Sequence, residues 1–192
     1  MTQGPYLDIG RNRANRKHSR RDQWRRLAWA LAEPIFSMSP RPFFAWRRVL
    51  LRAFGAKIGR NVHVYPSVRV FAPWQLEIGD EVAVGADVRI YNLAAISIGR
   101  QATVSQGVHL CAGSHDYTRR EMPLVKRPIS IGEAAWLCAD AFVGPGATVG
   151  DRAVVAARSV VVRDVPPWVV VAGNPARVLK PRRLEPTAPD AP

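Results

Sequence analysis

From Ile131 to Val161 a branched aliphatic residue returns at every sixth position, at Ile131, Leu137, Val143, Val149, Val155 and Val161. This spacing matches neither the alternation of a strand nor the helical turn of about 3.6 residues. Four residues after each of the first five stands a small residue: Ala135, Ala141, Ala147, Ala153 and Ser159. Gly directly follows the aliphatic position at Gly132, Gly144 and Gly150. One large and one small inward position every six residues predicts a β-helix, in which short strands turn at regular corners and stack coil on coil. A β-sandwich would have to produce six repeats without a phase slip by chance.

The same phase continues upstream in three shorter blocks, Ile58-Val64-Val70, Ile78-Val84-Ile90 and Ile98-Val104-Leu110. Their starts at 58, 78 and 98 lie 20 residues apart, which fits an 18-residue triangular coil with two residues added at one corner. Pro73 and Trp74 fall at such a corner. The pattern predicts an all-β chain of about five coils, rising about 4.8 Å per coil, with Gly supplying permissive dihedrals at the corners.

Ahead of the coils the periodicity is helical. Trp24, Leu27, Ala28 and Leu31 form one stripe, ended by Pro34. Phe43, Trp46, Leu50 and Phe54 form a second, with Arg47, Arg48 and Arg52 elsewhere and Gly55 as its stop. Two apolar sides need cover, and either of two surfaces supplies it: the open end of the first coil, which a solenoid must cap, or a membrane. The chain divides accordingly into a basic flexible arm (1–22), an amphipathic helical segment (23–55), the β-helix (56–180) and a Pro-rich tail (181–192).

Charge changes the picture only at the N-terminus. Residues 1–60 hold 14 Lys or Arg against three acids, Asp8, Asp22 and Glu33, whereas the other 132 residues hold 14 against 12. Such an arm suits anionic phospholipid or simple solvation; nucleic acid ranks last, because no nucleic-acid motif accompanies it. No apolar run has membrane-crossing length and the N-terminus lacks a secretory pattern, so the expected location is the cytoplasm, with the inner membrane face as a peripheral site. Cys111 and Cys138 make no disulfide framework and fall on different faces of the prism.

After Leu110 the register breaks. The next anchor is Ile131 rather than residue 116, so 15 residues are inserted, giving a loop over 111–130 that begins Cys111-Ala112-Gly113-Ser114-His115-Asp116. A long loop leaving a rigid solenoid is where function concentrates. Of four histidines, His115 alone opens this loop; His18 lies in the arm, and His63 and His109 sit at regular corners. An imidazole titrating near neutrality suits the deprotonation of a hydroxyl.

These residues resemble the hexapeptide-repeat acyltransferases, and among them the acetyltransferases of colanic acid and related exopolysaccharide biosynthesis. The resemblance covers about residues 43–180 and rests on four motifs: Leu51-Arg52-Ala53-Phe54-Gly55-Ala56-Lys57-Ile58-Gly59, Gly113-Ser114-His115-Asp116, Ile131-Gly132 followed by Trp136, and Gly173-Asn174-Pro175-Ala176. It implies a left-handed parallel β-helix, a homotrimer with sites between subunits, acetyl-CoA as donor and a sugar hydroxyl as acceptor. The family's invariant histidine falls on His115. The resemblance further assigns the backbone of Ala139 to the oxyanion and thioester, Trp136 and Ala157 to the pantetheine channel, and Arg177 and Lys180 to the neighbourhood of the adenine and phosphates. Val162 and Arg163 stand where relatives often show Thr-Lys; Arg keeps the charge and adds bidentate reach. Tyr91, Asn92 and Arg119 are candidate acceptor contacts. Asp116 either orients His115 or caps the turn.

Direct transfer in a ternary complex needs no acyl-enzyme, although a covalent route would use Cys111 or Ser114. Two other readings compete: a non-catalytic membrane-associated scaffold, and a zinc carbonic anhydrase. The second needs three imidazoles on one metal, and His63, His109 and His115 fall at different corners. No metal is expected.

Overall fold

A computed structural model describes residues 7–8, 10, 13 and 19–185. Within it the sixfold pattern becomes three flat faces of short parallel strands. The first face stacks Lys57–Ile58, Leu76–Ile78, Ile96–Ile98, Ile129–Ile131 and Thr148–Val149. The second stacks His63–Val64, Ala83–Val84, Thr103–Val104, Trp136–Leu137 and Val154–Val155, then Val169–Gly173 and the antiparallel Ala176–Pro181. The third stacks Arg69–Val70, Arg89–Tyr91, His109–Cys111, Phe142–Val143 and Val160–Val161. These strands make five complete coils, as the spacing predicts.

Each face sends one column inward. Ile58, Ile78, Ile98, Ile131 and Val149 are register partners in sequence, and all are buried. Burying each such side chain contributes about 1.5–3 kcal/mol relative to exposure. The small residues Ala135, Ala141, Ala147, Ala153 and Ser159 are buried as well, where a larger side chain would overfill the prism.

The corners differ from expectation. Gly59, Gly79, Gly99, Gly132 and Gly150 do not carry the left-handed backbone. That conformation falls two residues later, at Asn61, Glu81, Gln101, Ala134 and Arg152, with φ between 51° and 60°. The glycines are needed for close approach: a Cβ on Gly99 would lie 2.7 Å from the backbone nitrogen of Glu133 in the next coil. The histidines also depart from the expected corners. His63 and His109 stand on strands, against Phe44 and Phe142 respectively, with ring centroids 4.4 and 5.3 Å apart.

Two helices precede the coils, α1 (Arg20–Ser37) and α2 (Phe44–Ala53). Helix α1 starts earlier than the stripe suggests because Ser19 caps it, its hydroxyl accepting from the Asp22 N–H at 3.1 Å. It also passes through Pro34, which lies on its exposed side and so costs one hydrogen bond without a steric clash in the core. The buried face is Trp29, Ala32 and Phe36; Trp24, Leu27 and Leu31 face outward.

Helix α2 is likewise turned. Phe43 and Trp46 are exposed, while Arg47 and Leu51 are buried. The reason lies in the ladder, where N–H groups of one coil donate to carbonyls of the next, for example His63 to Val82 and Gly59 to Ile78. The first coil's face carbonyls therefore have no coil beneath them. Arg47 donates to Val64 O, Arg48 to Val62 O, Arg52 to Ile58 O and the Trp29 indole to Val70 O. An unpaired buried carbonyl costs about 1–3 kcal/mol, so the cap had to present donors.

At the other end the chain stays ordered past Pro181: Arg182 donates to the carbonyls of Ala134 and Arg152. Residues 186–192, most of 1–18 and His18 lie outside the described residues. Among the described residues no helix is long and apolar enough to cross a membrane.

Candidate active site

The inserted loop folds as a β-hairpin, Gly113–His115 against Leu124–Lys126, with His115 opposite Leu124. Asp116 closes its turn. The carboxylate accepts from the Thr118 N–H at 3.0 Å and from the Thr118 hydroxyl at 2.6 Å, contacts that hold its pKa below the ordinary carboxylate value. Of its two candidate roles Asp116 thus fills the cap. The imidazole is instead oriented by the main chain, with His115 Nδ1 2.7 Å from the carbonyl oxygen of Met122, a residue held at φ 43°. A carbonyl can only accept, so in the neutral ring Nδ1 carries the proton and Nε2 keeps its lone pair. His115 is exposed and opens onto a cavity of about 700 Å³, which Cys111, Tyr117, Arg127, Phe142 and Val162 also line.

The predicted residues fall into separate groups within one chain. His115, Asp116 and Val162 share that cavity. Val162, Arg163 and Arg177 share a second, of about 200 Å³, beside it. Trp136 lies on the second face with its indole N–H on the Ser105 hydroxyl at 3.0 Å. Ala139 and Ala157 stack at the corner between the second and third faces, where the Arg158 N–H meets Ala139 O. Lys180 pairs with Val170 on the second face. None of these four lines the His115 cavity.

One acceptor candidate is corrected, and a second lies away from the cavity. Asn92 is fully buried, its amide accepting from the Ala72 N–H and donating to the Ala72 carbonyl, so it closes a corner and offers nothing to a ligand. Arg119 is exposed and stands 3.8 Å from Glu121, and it does not line the His115 cavity. Tyr91 does border a groove of about 650 Å³ beneath α1, together with Arg26, Phe71, Arg89, His109 and Cys111. Cys111 lines both spaces, so the groove and the His115 cavity adjoin. The groove, Tyr117 and Arg127 were not found from the sequence, since nothing in the sixfold register marks which outward residues meet across a loop.

Cys111 donates to the carbonyl of Gly113 at 3.2 Å, and burial raises the Cys138 thiol above its ordinary value. No group of three or more His, Cys, Asp or Glu among the described residues is arranged to hold a metal ion.

The family described as the hexapeptide repeat of succinyl-transferase matches residues 75–112 and 128–163, and the gap between the two matches is the hairpin. A protein of Escherichia coli (strain K12), which carries the name colanic acid biosynthesis acetyltransferase WcaF, is 48% identical over 156 residues, 81% of this chain and 86% of the relative. Among solved structures, a hexapeptide-repeat acetyltransferase from Vibrio cholerae O1 biovar eltor, complexed with acetyl coenzyme A, superposes with a TM-score of 0.81 at 28% identity. That match covers 90% of this chain and 95% of the other. A galactoside acetyltransferase in complex with coenzyme A gives 0.80 at 27% identity over 91% and 90%. Stacked sixfold coils, an inserted loop carrying a histidine and this breadth of similarity place the chain in one family: it belongs to the hexapeptide-repeat acetyltransferases.

Proposed function

We propose that this protein is an O-acetyltransferase that moves the acetyl group of acetyl-CoA to a sugar hydroxyl in exopolysaccharide or related glycan synthesis, acting as a homotrimer in the cytoplasm. The observation that carries the reading is the contact of His115 Nδ1 with the carbonyl oxygen of Met122. In the neutral ring the Nδ1 proton is committed there, which leaves Nε2 as the acceptor a general base needs.

In this reading Nε2 takes the proton of the acceptor hydroxyl as its oxygen attacks the acetyl carbonyl. The tetrahedral oxyanion is met by the Ala139 backbone N–H of a neighbouring copy and collapses with release of the CoA thiolate, to which the imidazolium returns the proton. No covalent enzyme intermediate is required, in keeping with a Cys111 thiol that remains a donor. Val162 borders both the His115 cavity and the smaller one holding Arg163 and Arg177, which makes a path from the reacting atoms to phosphate-binding cations. Trp136, Ala157 and Lys180 would complete the CoA channel from the adjacent subunit. The acceptor is placed at the groove bordered by Tyr91.

The test is His115→Ala assayed for transfer of labelled acetyl to a glycan panel. Transfer should fall about 10²- to 10⁴-fold while acetyl-CoA still raises the melting temperature. Undiminished transfer would remove His115 from the chemistry, and no thermal shift in the parent protein would remove acetyl-CoA.

A further inference from the structure

Helix α1 is apolar on two sides, and only one of them is used. Its inner residues Trp29 and Phe36 are 4% and 1% exposed, against the coils. Its outer residues Trp24, Leu27, Leu31, Ile35 and Met38 are 71%, 53%, 72%, 56% and 83% exposed. Their spacing of three, four, four and three residues puts them on one stripe running the length of the helix. Ala28 and Pro34 lie beside that stripe by helical spacing, and both are exposed. The helix's acids are elsewhere: Asp22 is bonded to Ser19 and Glu33 borders the groove on the inner side. The outer face thus carries no carboxylate.

We infer that this face docks on an anionic lipid bilayer, with α1 lying in the plane of the interface. An in-plane helix needs an apolar stripe, an aromatic residue at headgroup depth and cations to meet lipid phosphates. The stripe supplies the first and Trp24 the second. The cations precede the stripe in sequence: residues 1–24 hold Arg11, Arg13, Arg16, Lys17, Arg20 and Arg21 against only Asp8 and Asp22, while Arg25 and Arg26 stack inward on Trp74 and Phe71. The same charge argues against a second copy as the occupant, because pairing two such faces would bring two sets of six cations together. The groove beneath α1 would then open close to the lipid surface, on the side from which a membrane-tethered glycan arrives. Docking itself depends only on the helix face and its charge, and holds whether or not the chain transfers acetyl groups.

The experiment is flotation of the full chain with phosphatidylcholine vesicles, with and without phosphatidylglycerol, beside the variant Leu27→Glu/Leu31→Glu. The parent should float with the anionic vesicles only, and less at high salt. The variant should partition roughly tenfold more weakly. Both altered side chains point outward, so its melting temperature and oligomeric mass should stay at the parent's values. Trp24→Ala, a milder change on the same stripe, should show a smaller drop. A parent that stays at the bottom of the gradient overturns the inference. So does a double variant that floats like the parent, since the basic arm alone would then account for binding. A changed oligomeric mass in the double variant likewise overturns it and assigns the face to a second copy.

Discussion

The Arg47 guanidinium, fully buried, donates through Nε to the carbonyl oxygen of Val64 at 2.6 Å. Its other nitrogens reach the Ser39 hydroxyl and the carbonyls of Pro40 and Arg41. One side chain thus ties the open end of the first coil to the turn between the helices. Arg47→Leu should lower stability by about 3 kcal/mol, since several carbonyls lose their donor at once. Arg48→Ala, which frees only Val62 O, should cost about 1 kcal/mol. Urea midpoints at unchanged slope would measure both, and equal losses would contradict the account.

Close approach and left-handed backbone are separated by two residues at one corner, and substitution should separate them too. Gly132→Ala places a methyl against the backbone of Asp151 and should cost about 1–3 kcal/mol. Ala134→Gly, at φ 51°, relieves a conformation unfavourable to an L-residue by about 1–2 kcal/mol but adds chain entropy. Its net effect should be a gain of about 0.5 kcal/mol, readable by thermal or chemical denaturation.

Burial, with repulsion from Arg89 added, holds the His109 imidazole below its ordinary 6.5. The folded chain therefore binds fewer protons than the unfolded chain in a window that opens near 6.5 and runs down through the folded value. Stability rises with pH across that window and is lost as acid is added. His109→Gln should flatten the slope of unfolding free energy between neutral and mildly acidic pH. Identical slopes in the two proteins would show that this ring titrates freely.

A site shared between copies can be tested by mixing. His115→Ala and the double variant Trp136→Ala/Lys180→Ala should each be nearly inactive alone. In the proposed trimer, co-assembly would form an intact site wherever a chain that keeps His115 meets one that keeps Trp136 and Lys180, about one quarter of the sites at equal mixing. Recovered transfer in the mixture supports the shared site; none argues that each chain works alone.

What the sequence made legible was what repeats. The inward columns, the five coils, the insertion after Leu110 and the isolation of His115 all follow from one period and its break. What stayed hidden depended on the direction of the ladder. A hydropathy stripe marks Trp24, Leu27 and Leu31 as a side of α1 that needs cover, without saying whether the coil end or a membrane covers it, and sets the arginines of α2 elsewhere. The coil end, however, needed hydrogen-bond donors, and this need turned both helices. Asn92 was misread for a related reason: an amide beside Tyr91 looks like a ligand contact until the Ala72 backbone is seen to use it. Asp116 and His115 adjoin in sequence, but their partners, Thr118 and Met122, were set by the hairpin's turn.

Because the flat faces give their protons mainly toward the next coil, with the return bonds concentrated at the corners, the faces are chemically opposite at the two ends of the prism. The beginning shows oxygens and is closed by guanidinium and indole. The far end is closed by acceptors instead, Asp164 for the Thr148 N–H and the Val165 and Val171 carbonyls for Gly150 and Ala156. Only at the corners does the far end also need a donor, where Arg182 reaches Ala134 and Arg152. The solenoid can lengthen or shorten by whole turns in its middle, while its termini stay fixed in kind.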